Sequence, residues 1–249
     1  MKIRILLSLA ALFIIFACES TTGPNEIGGN TDLELTKVGS EFGVSPKMKG
    51  IYSPALSNLR DTVKIIKNEG GIVTVKGKIV TDIDAVKALD TLFGTQNLPE
   101  NIKHQIVDAY LVKYGLNIDT TDHQNMRLDF EFKMKVTSEG LQEFVYSKGD
   151  LSKPYTIVKY NSNVGDKYEF TTTEGEKITR TVVQKNEEED WDLSFWKVKT
   201  IRVEQMMNDD PVIKKVTFIT NHKFGLVGII HEFKDGKIIE TTILPWSML

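Results

Sequence analysis

"MRLDFEFKMKV", residues 126–136, alternates without error: Met126, Leu128, Phe130, Phe132, Met134 and Val136 are apolar, and Arg127, Asp129, Glu131, Lys133 and Lys135 are charged. Successive side chains of an extended chain point to opposite faces, so period two predicts a β-strand with one wet and one apolar face. At about 3.3 Å per residue it spans some 36 Å, roughly twice an ordinary strand. Strands that long coil, because each carries a right-handed twist, and the sheet they build closes toward a half-barrel or a sandwich.

The neighbouring stretches extend the pattern. Asp61–Asn68 and Ile72–Thr81 flank Glu69-Gly70-Gly71 and read as a hairpin with a glycine turn. Tyr168–Thr173 and Lys177–Val183 flank Glu174-Gly175, and Asp235-Gly236 sits between Leu226–Phe233 and Ile238–Leu244. Both dipeptides are read as two-residue turns, which sets Glu169 opposite Arg180 and His231 opposite Glu240. Phe195–Met206 and Val212–His222 read as two further long strands. The stretches "GLVGII" and "KIIETTILPW" are apolar on both faces, so a second layer is expected over them.

A helical pair is expected between the hairpin and the long strand. Thr81 or Asp82 caps a first helix near 82–94 with Ile83, Val86, Leu89 and Phe93 on one face, ended by Gly94. Pro99 opens a second near 98–115 with Ile102, Ile106, Ala109, Tyr110 and Lys113 in a stripe, while His104 faces solvent. The fold class is therefore α+β, mainly antiparallel β: a long coiled meander, half-barrel or sandwich, with an inserted helical pair. No repeat of fixed period occurs, and one domain over 50–249 is favoured.

The amino-terminal end reads differently. Lys2 and Arg4 precede thirteen residues, Ile5–Ala17, that are apolar except for Ser8. The run is too short to span about 30 Å of hydrocarbon and has the form of a signal peptide over 1–17. Its end, Ile15-Phe16-Ala17-Cys18, resembles the lipobox of bacterial lipoprotein precursors. That resemblance implies cleavage before Cys18, acylation of its thiol and a membrane partner bound through the acyl chains. Glu19 rather than Asp after the cysteine points, by family precedent, to the outer membrane. Cys18 is the only cysteine, so no intramolecular disulfide can form and the fold rests on its core. Residues 18–49, rich in Gly, Ser, Thr, Asn and Pro, read as a flexible lipidated tether. The net charge of −3 becomes −5 once Lys2 and Arg4 are removed, which speaks against nucleic acid as a partner.

Motifs for chemistry are absent. There is no G-x-S-x-G elbow, P-loop, dinucleotide fingerprint, H-E-x-x-H or EF-hand loop. His231-Glu232 starts like a zinc motif but lacks its second histidine, and His222 falls about 13–17 Å from His231 along the ladder. Neither metal nor cofactor is expected. "NEEEDWDLSFW", residues 186–196, reads as a solvated hairpin tip, "MMNDDP", residues 206–211, as a turn, and Asp129 and Glu131 as a wet strand face. "NVGDKYEF", residues 163–170, resembles a strand entry of uncharacterised exported β-rich lipoproteins and is physically a turn feeding an aromatic strand.

The expected function is a lipid-anchored envelope protein with a non-enzymatic binding or scaffolding role. Its more specific form carries an apolar small molecule on the Met126, Leu128, Phe130, Phe132, Met134, Val136 face, or engages another envelope protein. The alternatives are a surface adhesion or glycan-binding module, which requires Trp191, Trp196 or Trp246 exposed on one face, and an envelope hydrolase.

Overall fold

A computed structural model describes residues 26–49, 60–81, 116–119, 126–172 and 175–248, with Leu98, Pro99, Asn101, Ile102 and Gln105 between them. Its strands are β1 (Glu41–Met48), β2 (Arg60–Glu69), β3 (Ile72–Thr81), β4 (Leu116–Asp119), β5 (Met126–Thr137), β6 (Gly140–Glu143), β7 (Tyr155–Lys159) and β8 (Lys167–Thr171). They continue with β9 (Lys177–Lys185), β10 (Trp191–Asp192), β11 (Lys197–Val198), β12 (Ile201–Met206), β13 (Ile213–Asn221), β14 (Gly225–Phe233) and β15 (Ile238–Pro245). Two 3-10 turns, Glu34–Thr36 and Trp246–Met248, lie near the ends.

Twelve strands follow one path, β7-β6-β5-β3-β2-β1-β15-β14-β13-β12-β9-β8, and β4 adds to the free side of β5. Every pairing is antiparallel, and the sheet coils into a nearly closed barrel. Bulges at Ile65/Lys67, Leu141/Gln142, Arg202/Val203 and Ile219/Thr220 add local twist where the wall must curve. The two edge strands, β7 and β8, meet through side chains: Tyr155 stacks on Phe170 at 4.9 Å, and the Lys159 N–H donates to Tyr168 Oη at 3.1 Å.

The expected helical pair is not supported as a pair. Its positions lie outside the described residues except for Leu98, Pro99, Asn101, Ile102 and Gln105, of which Asn101, Ile102 and Gln105 are helical but Ile102, expected in the apolar stripe, is exposed. The physical need for it also falls away, because the inner apolar faces of a coiled sheet cover one another: Val63, Val73, Val75, Met134, Val136, Leu141, Val158, Val182 and Val203 form one buried cluster. The outer apolar face of β13–β15 is covered instead by the small β10–β11 hairpin, whose Trp191 ring packs so closely on Gly228 that a side chain there would clash with it.

Three further expectations are corrected. The segment read as a tether over 18–49 is part of the fold from Ile27 onward: Ile27 and Leu35 are buried, and β1 pairs with β15 from Phe42 to Met48 and with β2 at Glu41 and Phe42. A low apolar content hid it: only Leu33, Leu35, Phe42 and Val44 reach the main cluster from this segment, too few to form a periodic pattern. The domain therefore includes residues well before position 50. The long strand read over Phe195–Met206 is broken at Lys199 and Thr200: Lys197–Val198 pair back on β10, whereas Ile201–Met206 enter the large sheet between β9 and β13.

Both supposed two-residue turns are three-residue loops. Phe233 N–H donates to Lys237 O and Gly236 N–H to Phe233 O, with Gly236 at φ of 87°. Thr172 and Glu176 close the other loop in the same manner, with Gly175 at φ of 85°. Each glycine takes the left-handed position that closes a three-residue loop, and the register slips by one. His231 thus faces Ile239 rather than Glu240, and Arg180 faces Tyr168 rather than Glu169. The Gly70-Gly71 turn holds as read, with Glu69 opposite Ile72 and both glycines at positive φ.

Candidate functional site

Inside the barrel, at the seam between β9 and β6–β7, lies the most unusual cluster among the described residues. Arg180 is 1% exposed and points inward from β9, between Ile178 and Val182. Its Nη2 donates to Glu143 Oε1 at 3.0 Å, its Nε to Gln205 Oε1 at 2.9 Å, and its Nη1 to the Thr156 carbonyl at 3.2 Å. The guanidinium carbon lies over the Tyr155 ring, 3.7 Å from its centroid, and over the Phe218 ring at 4.6 Å. A planar, weakly hydrated cation suits such a slot better than an ammonium would.

The network continues outward. Glu143 Oε2 accepts the backbone N–H of Val145, and Gln205 Nε2 donates to Tyr146 Oη at 2.7 Å. Burial raises the Tyr146 and Tyr155 phenols above their ordinary values, so both remain neutral. The Tyr155 hydroxyl is buried and makes no hydrogen bond. Beside Tyr146 opens a cleft of about 40 Å³, lined by Ile178, Gln205, Met207 and the turn to Asp210. It is small against the roughly 300–1,000 Å³ of ligand pockets and has room for no more than a few water molecules.

Chemically, the cluster is spent on itself. Arg180, Glu143 and Gln205 are all buried and bonded to one another, so an incoming substrate meets no free charge there. Its evident work is to hold the seam: no ladder of hydrogen bonds joins β7 to β8, and Arg180 reaches beneath β8 to bind β6 and β7 instead.

The residues singled out from sequence are dispersed. Met134 and Val136 belong to the main buried cluster, and Phe130 and Phe132 pack against it half-buried, with their rings 5.9 Å apart. The side chains of Met126 and Leu128, and Cys18 with residues 1–25, lie outside the described set. Trp191 is buried, its Nε1 donating to the Val227 carbonyl at 3.1 Å, which removes it from any sugar-binding platform. Trp246 is exposed, and Trp196 is half-buried against Phe224.

Within the acidic stretch, Asp190 accepts from Thr200 Oγ1 and from Arg202 Nη2 at 2.8 Å, so it anchors the β10–β11 hairpin to β12. His231 lies on the apolar inner face between Val216 and Ile239, and burial lowers its pKa to about 4. Among the described residues, no group of three or more His, Cys, Asp or Glu is placed to hold a metal ion, and no helix is long and apolar enough to cross a membrane.

The Arg180 cluster was missed in the sequence although it left a signal. In "KITRTVV" the arginine falls at an inward position of the alternation, and in "GLQEF" Glu143 falls in phase with buried Leu141. Two opposite charges at inward positions of strands in one sheet point to a buried pair. The chain matches no protein-family model, no curated protein and no solved structure.

Proposed function

We propose that this chain is the precursor of a lipid-anchored envelope protein whose barrel serves a non-enzymatic binding or scaffolding role. The observation that carries this reading is the Ile15–Cys18 lipobox at the end of a signal-like run. Two or three acyl chains, at roughly 0.8 kcal/mol per buried methylene, suffice for stable anchoring. A structural role for the interior accords with it: the only buried ion pair among the described residues is closed to solvent and bonded to neighbours within the barrel. The outer membrane is the favoured location, by the residue after the cysteine.

Within that reading, an apolar small molecule is a candidate ligand at the half-buried Phe130 and Phe132 end of the long-strand face, because the Met134 and Val136 end is already filled by neighbouring side chains. Metabolic palmitate labelling of the wild type and of Cys18→Ser tests the anchor. Label in the wild type alone is expected, and an unlabelled wild type refutes the reading. Native mass spectrometry of the detergent-extracted protein then reports whether a second, non-covalent lipid is retained.

A further inference from the structure

Only Glu19–Asn25 separate Cys18 from the first described residue, Glu26. Eight Cα steps reach at most about 29 Å, whatever path they take. Ile27, the next residue, is 3% exposed and fixed. From there the chain runs across one end of the barrel. Asn30 binds Ser138 in the β5–β6 turn, Thr31 packs on Gly71 in the β2–β3 turn, and Leu35 reaches Gly225 in the β13–β14 turn.

The same end presents exposed apolar side chains. Phe195 is 82% exposed at the tip of the β10–β11 hairpin, and Trp196 beside it lies 6.4 Å from Phe224 of the β13–β14 turn. The tip is held out by backbone geometry: Phe195 N–H donates to Leu193 O around Ser194 at φ of 79°, a γ-turn of the rare, strained hand. Buried Leu193 and Trp191 underpin it. Val38 and Val164 are exposed in loops of this end too.

Resting on the reading of Cys18 as an acylated anchor, we propose that this end of the barrel lies against the bilayer, with Phe195 seated in its interface. The short link leaves the domain little freedom to turn away, and an aromatic at a fixed protruding tip is the side chain that partitions best at that depth. Glu187, Glu188 and Glu189 near the hairpin are all exposed. Exposed Lys197 and Lys199 on the hairpin and Lys223 beside Phe224 balance them, so this end carries little net charge and a zwitterionic surface is the fitting partner.

The test uses the full lipidated protein in phosphatidylcholine vesicles, labelled with a polarity-sensitive fluorophore at Phe195→Cys or, on the β14–β15 loop at the opposite end, at Asp235→Cys. Acylation leaves Cys18 unreactive to the label. Quenching by lipid-borne spin labels is expected to be several-fold stronger at position 195 than at 235. Equal quenching at the two positions, or stronger quenching at 235, overturns the orientation. If the wild type takes up palmitate but position 195 stays in water, the orientation fails alone; if it takes up none, the anchor fails with it.

Discussion

Arg180 and Glu143 bond at 3.0 Å across strands that no backbone ladder connects, and both side chains are buried. Removing one partner leaves the other charge stranded in a low-dielectric interior, whereas removing both strands no charge and leaves only the uncharged Gln205, Thr156 and Val145 groups without their partners. Arg180→Met is therefore expected to lose about 3–5 kcal/mol of stability, and Arg180→Met with Glu143→Leu to regain at least about half of it. Urea denaturation of the two single variants and the double variant measures this. Additive losses would refute a coupled seam.

The neighbouring Tyr155 ring stacks on Phe170 and under Arg180, while its hydroxyl has no hydrogen-bond partner. A buried donor left unmade costs about 1–3 kcal/mol, and the ring contacts do not need it. Tyr155→Phe is expected to be neutral or to stabilise by about 1 kcal/mol. A clear loss in the same denaturation experiment would mean that the hydroxyl is engaged after all.

Leu35 separates a tether from a structural segment. It is buried in the main cluster and lies at Gly225. Leu35→Ala should cost about 2–5 kcal/mol, the usual range for a core leucine, and should speed hydrogen exchange of the β13–β14 turn. A free tether would show no change in either quantity.

His231 fixes the pH dependence. Its pKa in the fold is lowered to about 4, from about 6.5 when unfolded, so below pH 6.5 the unfolded chain binds the extra proton. Its contribution is fully present above pH 6.5 and is lost as the pH falls toward 4, with a magnitude of order 1–3 kcal/mol. The stability difference between pH 7 and pH 4.5 should shrink in His231→Gln; an unchanged difference would show that other groups account for it.

These residues also mark how far the sequence could be read. The perfect alternation of 126–136 and the Gly70-Gly71 turn located β5 and the β2–β3 hairpin, because period and turn chemistry are local. The loops at Gly175 and Gly236 were placed correctly but miscounted, since a glycine after an acidic residue fits both a two-residue turn and the last position of a three-residue loop. Residues 27–48 were misread because Ile27 and Leu35 are isolated apolar residues whose burial depends on distant turns at 71, 138 and 225. Arg180 was passed over for a related reason: nothing local shows that Glu143 waits across the seam.

Whether the barrel is held to a membrane through Cys18 is decided by the intact mass of the mature protein extracted from cell membranes. A chain that begins at Cys18 and carries the added mass of two or three acyl chains is expected. A chain recovered unmodified from the soluble fraction, whether cut elsewhere or still bearing residues 1–17, would contradict it.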